Sequence, residues 1–191
     1  MSKPHSGHMT MAKHVFRYLQ GTDDFKLIYR KSEEPINVIG FCDADWGNLD
    51  DRKSITGYGF KLSKTAPLIS WKSRKQPTVA LSTCEAEYMA LVSATQEGKY
   101  LTSLVKEIFK ANMTGFVLYC DNQGAIALAK NPVKHQRSKH IDIKYHFIRD
   151  EVNHKGLELL YVPSENNVAD IITKPLSTMK CNRFIHPLMG K

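Results

Sequence analysis

From Pro35 onward the apolar positions switch between two spacings: alternation or near-continuous runs, which suit strands, and recurrences every three to four residues, which suit helices. INVIGFCD, SITGYGFKL and PLISWKS, separated by turns rich in Gly, Asn, Asp and Lys, predict three consecutive antiparallel strands. A long helix follows, opened by Ser82 with Glu85 three residues on, the capping-box spacing, and running to about Ala111. Its inward stripe is Cys84, Tyr88, Leu91, Thr95, Leu101, Val105 and Ile108. FVLYCD then reads as a central strand covered on both faces, and NQGAIALAK as a short helix. After the polar and basic stretch NPVKHQRSKH, Ile141, Tyr145, Ile148 and Val152 give another helical stripe, and strand LELLYV is stopped by Pro163. A last short helix starts near Ser164 to Asn167, carries Asp170, and ends before Pro175, because proline disfavours helical geometry at the residue ahead of it.

Upstream of Pro35 the pattern differs. Met11, Val15, Tyr18 and Leu19 make a helical stripe that stops at Gly21, and FKLIYR alternates like a short strand. An amphipathic helix with nothing behind it reads as a connector. The chain therefore divides into a connector over residues 1–35, a domain over 36–176, and a C-terminal tail over 177–191. The element order of the middle part predicts an α/β class, with a mixed five-stranded sheet flanked by helices.

Four carboxylates fall where side chains can point inward in this scheme. Asp43 ends INVIGFCD, Glu87 lies on the stripe of the long helix, Asp121 ends FVLYCD, and Asp170 opens the last helix. Burying one unpaired carboxylate costs several kcal/mol, so gathering four calls for something strongly positive among them, usually a divalent metal. Taken alone, Glu87 reads equally well as a side chain snorkelling at the stripe edge. Asp45 shares the face of Asp43 if the strand continues, and Glu85 is explained as the capping partner of Ser82.

The formal charge of +8 favours an anionic partner, of which nucleic acid is the commonest for a basic domain. A membrane surface competes, but no run approaches the roughly 18 apolar residues of a spanning helix, no basic amphipathic helix with a Trp/Phe/Leu face stands out, and the N-terminus lacks the apolar core of a secretory signal. Cys42, Cys84, Cys120 and Cys181 are widely spaced without a CxxC pair, so they read as buried free thiols in a reducing, intracellular compartment.

The segments GFCDADWG with DDRKSITGYGF, ISWKSRKQPTVALSTCEAEYMAL, YCDNQGAIAL, RSKHIDIKYHFIRDEV and YVPSENNVADIITKPL, in unbroken order over roughly Ile36 to Leu176, resemble the ribonuclease H domain of a copia-type LTR retrotransposon polyprotein. HVFRYLQGT resembles the segment joining the reverse transcriptase thumb to that domain. The resemblance implies the RNase H-like fold and an endoribonuclease that cuts the RNA strand of RNA:DNA hybrids, working beside the reverse transcriptase of the same polyprotein, in the cytoplasm or within a retrotransposon particle. It implies Asp43, Glu87, Asp121 and Asp170 as catalytic and metal-binding residues around two Mg²⁺ ions, with Mn²⁺ as a substitute. Asp43 is expected to bridge both ions, Asp170 to stand on the water side, and Glu87 and Asp121 on the leaving-group side.

A nuclease of hybrids must accept any sequence and so feels sugar hydroxyls and backbone rather than base edges. Asn122 and Gln123 beside Asp121, and Ser82 and Thr83 at the helix start, are candidates for the hydroxyls, although capping alone explains Ser82. Lys72, Arg74 and Lys75, then Lys130, Lys134, Arg137, Lys139 and Lys144, are candidates for phosphate contact; each also reads as a solvated charge. Trp46 and Trp71 read as core or rim packing before base stacking. Cellular and retroviral ribonucleases H often carry a histidine in the loop before the final aspartate, whereas this chain has PSENN, which leaves His140 and His146 as auxiliary candidates. Two other classes compete. An integrase-like transferase is disfavoured because Glu87 precedes Asp121, and a catalytically weak or silent module that binds hybrid or supports a polymerase is disfavoured by the intact acidic quartet.

Overall fold

A computed structural model of the chain describes residues 3–110, 112–131, 139–154 and 156–190, with the backbone alone over 139–145. Helix α1, Ser6–Gln20, ends at Gly21 as its spacing predicts, and none of its residues is buried. FKLIYR forms no strand. Its backbone is tied instead to the C-terminal end of the chain, Ile28 N–H donating to Met189 O at 2.9 Å, and Tyr29 Oη donates to Leu68 O at 2.7 Å.

The three predicted hairpin strands form as β1, Ile39–Asp45, β2, Ile55–Lys61, and β3, Leu68–Lys75. Strands β4, Phe116–Cys120, and β5, Leu157–Tyr161, complete a five-stranded sheet of order β3-β2-β1-β4-β5. The β1–β2 and β2–β3 pairs are antiparallel, whereas β1–β4 and β4–β5 are parallel, so the sheet is mixed as expected. The connection from β3 to β4 is helix α2, Thr83–Phe109; α3, Gln123–Lys130, and α4, Lys139–His154, connect β4 to β5.

Ser82 caps α2 by accepting the Glu85 N–H at 3.2 Å, but Glu85 Oε2 reaches back to the Leu81 N–H at 2.9 Å rather than to that of Ser82. The capping box is thus displaced by one residue on its return arm. The inward stripe holds from Tyr88 to Val105, whose side chains pack with Cys42, Phe60, Leu118 and Leu159 into one core. It fails at Ile108, 61% exposed, where the last turn of α2 stands clear of the core.

Three-residue turn Ser164–Asn166 and helix α5, Asp170–Thr173, follow β5 and occupy the other face of the sheet. Gly57 makes this possible. It pairs across the ladder with Asp43, and a Cβ there would lie 2.4 Å from the Thr173 side chain. The stretch read as a tail is a further helix, α6, Thr178–Met189, capped by Ser177 and anchored by buried Phe184 and Leu188. Buried Lys61 donates to Pro187 O at 2.6 Å and to Lys64 O at 3.1 Å, fixing the end of α6 against the β2–β3 turn. Among the described residues no helix is long and apolar enough to cross a membrane.

Candidate active site

The carboxyl ends of the parallel neighbours β1 and β4 open side by side, the edge at which open α/β sheets place ligands. Asp43 projects from β1 toward α5 and is 1% exposed. Glu87, from the first turns of α2, reaches the same edge from the opposite face, 6% exposed, and Asp121 follows β4 half-buried. Asp170 opens α5 and is 1% exposed. The fold therefore brings all four predicted carboxylates to one place, in two overlapping groups. Ligand oxygens of Asp43, Asp121 and Asp170 lie within 4.8 Å of one another, and so do Glu87 and Asp121 with the thiol of Cys120. The residue common to both groups is Asp121, where the resemblance assigned the bridging place to Asp43.

The two groups are neutralised differently. Thr173 donates its hydroxyl to Asp43 Oδ2. Lys174 Nζ sits 2.8 Å from Asp170 Oδ1, an ion contact without hydrogen-bond geometry, and 3.5 Å from Asp43 Oδ2. Lys180, from α6, donates to Asp170 Oδ2 and lies over the ring of Phe184 at 5.3 Å. Burial raises Asp43 above the ordinary carboxylate range; Thr173 and Lys174 oppose it, while Asp170 and Asp121 add to it. Burial disfavours the Lys174 ammonium, yet the surrounding Asp170, Asp43 and Asp121 push it up to about 12.

Glu87 has no such company. Its Oε1 accepts the Ala44 N–H at 3.2 Å, and its buried Oε2 has no hydrogen-bond partner among the described residues. Burial first, then Cys120, Asp43 and Asp121, push Glu87 up to about 10, against the pull of the Ala44 N–H. An orphaned buried carboxylate oxygen beside two further donors is the feature a bound cation satisfies. The donor sets fit a divalent metal.

Asp45 accepts from Asn48 Nδ2 at 2.8 Å and belongs to neither group, and Glu85 serves the helix start. Asn122 caps α3 through Oδ1, which accepts the Ala125 N–H at 2.9 Å, while Gln123 and Thr83 are exposed. Lys72, Arg74 and Lys75 are exposed along edge strand β3 and line a cleft of about 410 Å³ with Gln76, Met89 and Gln96. At that cleft Gln76 Nε2 donates to the carbonyl of Ala86, the residue before Glu87, at 2.9 Å. Lys75 also pairs with Asp51 at 2.6 Å. Lys134 and Arg137 lie outside the described residues, as do the side chains of Lys139, His140 and Lys144; His146 is exposed on α4. Trp46 donates Nε1–H to Ala80 O at 3.0 Å, a rim contact, whereas Trp71 is exposed on β3.

Sequence reasoning missed Thr173, Lys174 and Lys180. The first two are readable as residues three and four beyond Asp170, the spacing of one helical turn. Lys180 carries no local signal, because its place depends on how α6 folds back.

No family model matches the chain. It is 42% identical over 175 residues to the retrovirus-related Pol polyprotein of transposon TNT 1-94 from Nicotiana tabacum, an alignment of 91% of this chain and 13% of the polyprotein. It is 38% identical over 185 residues to that of transposon RE2 from Arabidopsis thaliana, covering 96% of this chain and 12% of the polyprotein. The chain thus spans only a small part of these relatives. In fold it is similar to the N-terminal RNase H domain of Rv2228c from Mycobacterium tuberculosis, with a TM-score of 0.53 at 14% identity over 78% of this chain and 94% of that one. It is also similar to LC11-RNase H1, solved in complex with an RNA/DNA hybrid, with a TM-score of 0.52 at 15% identity over 72% of this chain and 94% of that one. By sequence and by fold, the chain belongs with the ribonuclease H-fold segment of copia-type retrotransposon Pol polyproteins.

Proposed function

We propose that this segment is an endoribonuclease that hydrolyses the RNA strand of RNA:DNA hybrids with two divalent ions during retrotransposon reverse transcription. The observation that carries the reading is the pair of donor groups sharing Asp121 at the carboxyl edge of the sheet. Asp43, Asp121 and Asp170 offer oxygen alone, the donor type of Mg²⁺, with Mn²⁺ as substitute. Held by these carboxylates, such ions would generate hydroxide from water and stabilise charge at the departing 3′ oxygen.

The chain's own residues hold that arrangement ready. Thr173 fixes the rotamer of Asp43 through its hydroxyl, and the Ala44 N–H fixes one oxygen of Glu87. Lys174 and Lys180 contact the Asp170 carboxylate and must withdraw from it when a divalent ion is ligated. Gln123 and Thr83, exposed beside the carboxylates, are the freer readers of 2′-hydroxyls, since Asn122 and Ser82 are engaged in caps. Lys72, Arg74 and Lys75 along the β3 cleft meet the phosphates of one strand, with Lys134, Arg137, Lys139 and Lys144 as the second basic stretch. Residues 1–35 join this domain to the polymerase of the same polyprotein, its partner within the intracellular particle.

A hybrid-binding module with weak catalysis is the second reading, favoured by the two lysines on Asp170. The test is incubation of the whole chain with labelled RNA:DNA hybrid, duplex RNA, duplex DNA and single-stranded RNA, in Mg²⁺, Mn²⁺ or chelator. Metal-dependent cutting of only the RNA strand of the hybrid is expected. Tight hybrid binding without cutting in either metal selects the second reading.

A further inference from the structure

One ligand atom at this edge is not oxygen. Cys120 is the last residue of β4, fully buried, with its Sγ within 4.8 Å of carboxylate oxygens of both Glu87 and Asp121. The sulfur accepts the Asn122 N–H at 3.4 Å, while the thiol of Cys42 on the neighbouring strand donates to Tyr119 O at 3.5 Å. A buried cysteine ordinarily packs among carbon atoms as a small hydrophobe. Here it stands beside two acids, one of which, Glu87, is 6% exposed and leaves Oε2 without a partner among the described residues.

Hard ions gain little from sulfur, which is why Mg²⁺ sites are built from oxygen. A thiolate joined by carboxylates is instead the donor set of Zn²⁺ and the ions that resemble it. At bond lengths of about 2.3 Å to sulfur and 2.0–2.2 Å to oxygen, tetrahedral donors stand roughly 3.3–3.7 Å apart, so the three groups need only a small convergence. The cysteine is also not free to lie elsewhere. Its strand is paired on both sides, with β1 and β5, which fixes the direction of its Cβ.

We propose that Glu87, Cys120 and Asp121 form a binding site for a thiophilic divalent cation of the Zn²⁺, Cd²⁺ or Co²⁺ class. On ligation the Cys120 thiol and the Glu87 carboxyl release their protons to solvent, so that thiolate and carboxylates face the ion, with solvent completing the shell. Because the ion takes Glu87 and Asp121, it displaces Mg²⁺ from one half of the proposed active site and inhibits hydrolysis. The inference rests on the reading of Glu87 and Asp121 as metal ligands.

Co²⁺ titration of the whole chain, followed by near-ultraviolet absorption, reads sulfur ligation directly through the thiolate-to-cobalt charge-transfer band. The wild-type chain should develop that band, saturating at one ion per chain, and Zn²⁺ should abolish it with an affinity about 100-fold above that of Mg²⁺. Cys120→Ala should lose the band and about tenfold or more of the Zn²⁺ affinity, while Cys42→Ala keeps both. Glu87→Gln, close in volume, is the second variant should Cys120→Ala fail to fold; it should retain the band but need about tenfold more Co²⁺. Co²⁺ binding without a band in the wild type, or a band unchanged in Cys120→Ala, overturns the sulfur site and leaves the oxygen ligands standing. Failure of the wild type to bind Co²⁺, Mn²⁺ or Zn²⁺ at all overturns both readings.

Discussion

On the Asp170 side of the acidic cluster the chain supplies its own cations, whereas on the Glu87 side it offers one backbone N–H and a thiol. Both sides bury carboxylates at the same sheet edge, within reach of Asp121. The difference teaches that a buried acid is not in itself a sign of metal. Asp43 and Asp170 could persist as a structural network of acids, a hydroxyl and two ammonium groups. Glu87 has no comparable network, so burial favours its protonated form in the metal-free chain.

The contrast is broken most forcefully at Glu87. Its folded value near 10 lies far above the ordinary 4.5, so between the two the folded chain keeps a proton that the unfolded chain has released. Metal-free stability must therefore fall as pH rises through that window, by roughly 1 kcal/mol per unit. Glu87→Gln removes this slope and should be more stable than wild type by about 2–4 kcal/mol near pH 9 in chelator. Urea unfolding of both proteins near pH 6 and pH 9 measures it, and parallel pH dependence would contradict the assignment.

On the other side the sign reverses. Asp170→Asn leaves Lys174 and Lys180 facing one another without their shared anion, and metal-free stability should drop by about 1 kcal/mol, modest because both ammonium groups stay partly solvated. Lys180→Gln sharpens the same point, since it removes one competitor for Asp170. Mn²⁺ affinity in the Asp43, Asp121 and Asp170 group should rise roughly fivefold, the worth of about 1 kcal/mol of ion pairing. Calorimetric titration that shows equal or weaker affinity would mean that Lys180 does not compete. At the surface, Lys75→Ala breaks a pair with Asp51 that is nearly half exposed at both ends, and should change stability by less than about 0.5 kcal/mol in the same unfolding assay.

Much of this arrangement was legible in the sequence for identifiable reasons. Period-two and near-continuous apolar runs specify the strands, and Ser82 marks the start of α2, so Asp43, Glu87 and Asp121 could be placed on their elements before any coordinates. Asp170 was legible because Pro175 limits the helix that carries it. The counter-charges were not. Lys180 meets Asp170 only because α6 folds back, and α6 declares itself weakly, with Phe184 and Leu188 as its buried residues and Pro187 interrupting its last turn. FKLIYR has the alternation of a strand, but its neighbour in space is the end of α6 and not a sheet edge. Ile108 continues the spacing of α2 beyond the core it would need to cover it. Cys120 looked like a core thiol because sequence shows that it is apolar and central, not that Glu87 and Asp121 converge upon it.

The central claim is that one carboxylate, Asp121, joins two cation sites. Mn²⁺ binding followed by electron paramagnetic resonance, on wild type and Asp121→Asn, tests it most directly. Two bound ions with mutual spin coupling in the wild type, and loss of the coupled pair in the variant, are the predicted result; a single isolated ion, or a pair unaffected by the substitution, would contradict it.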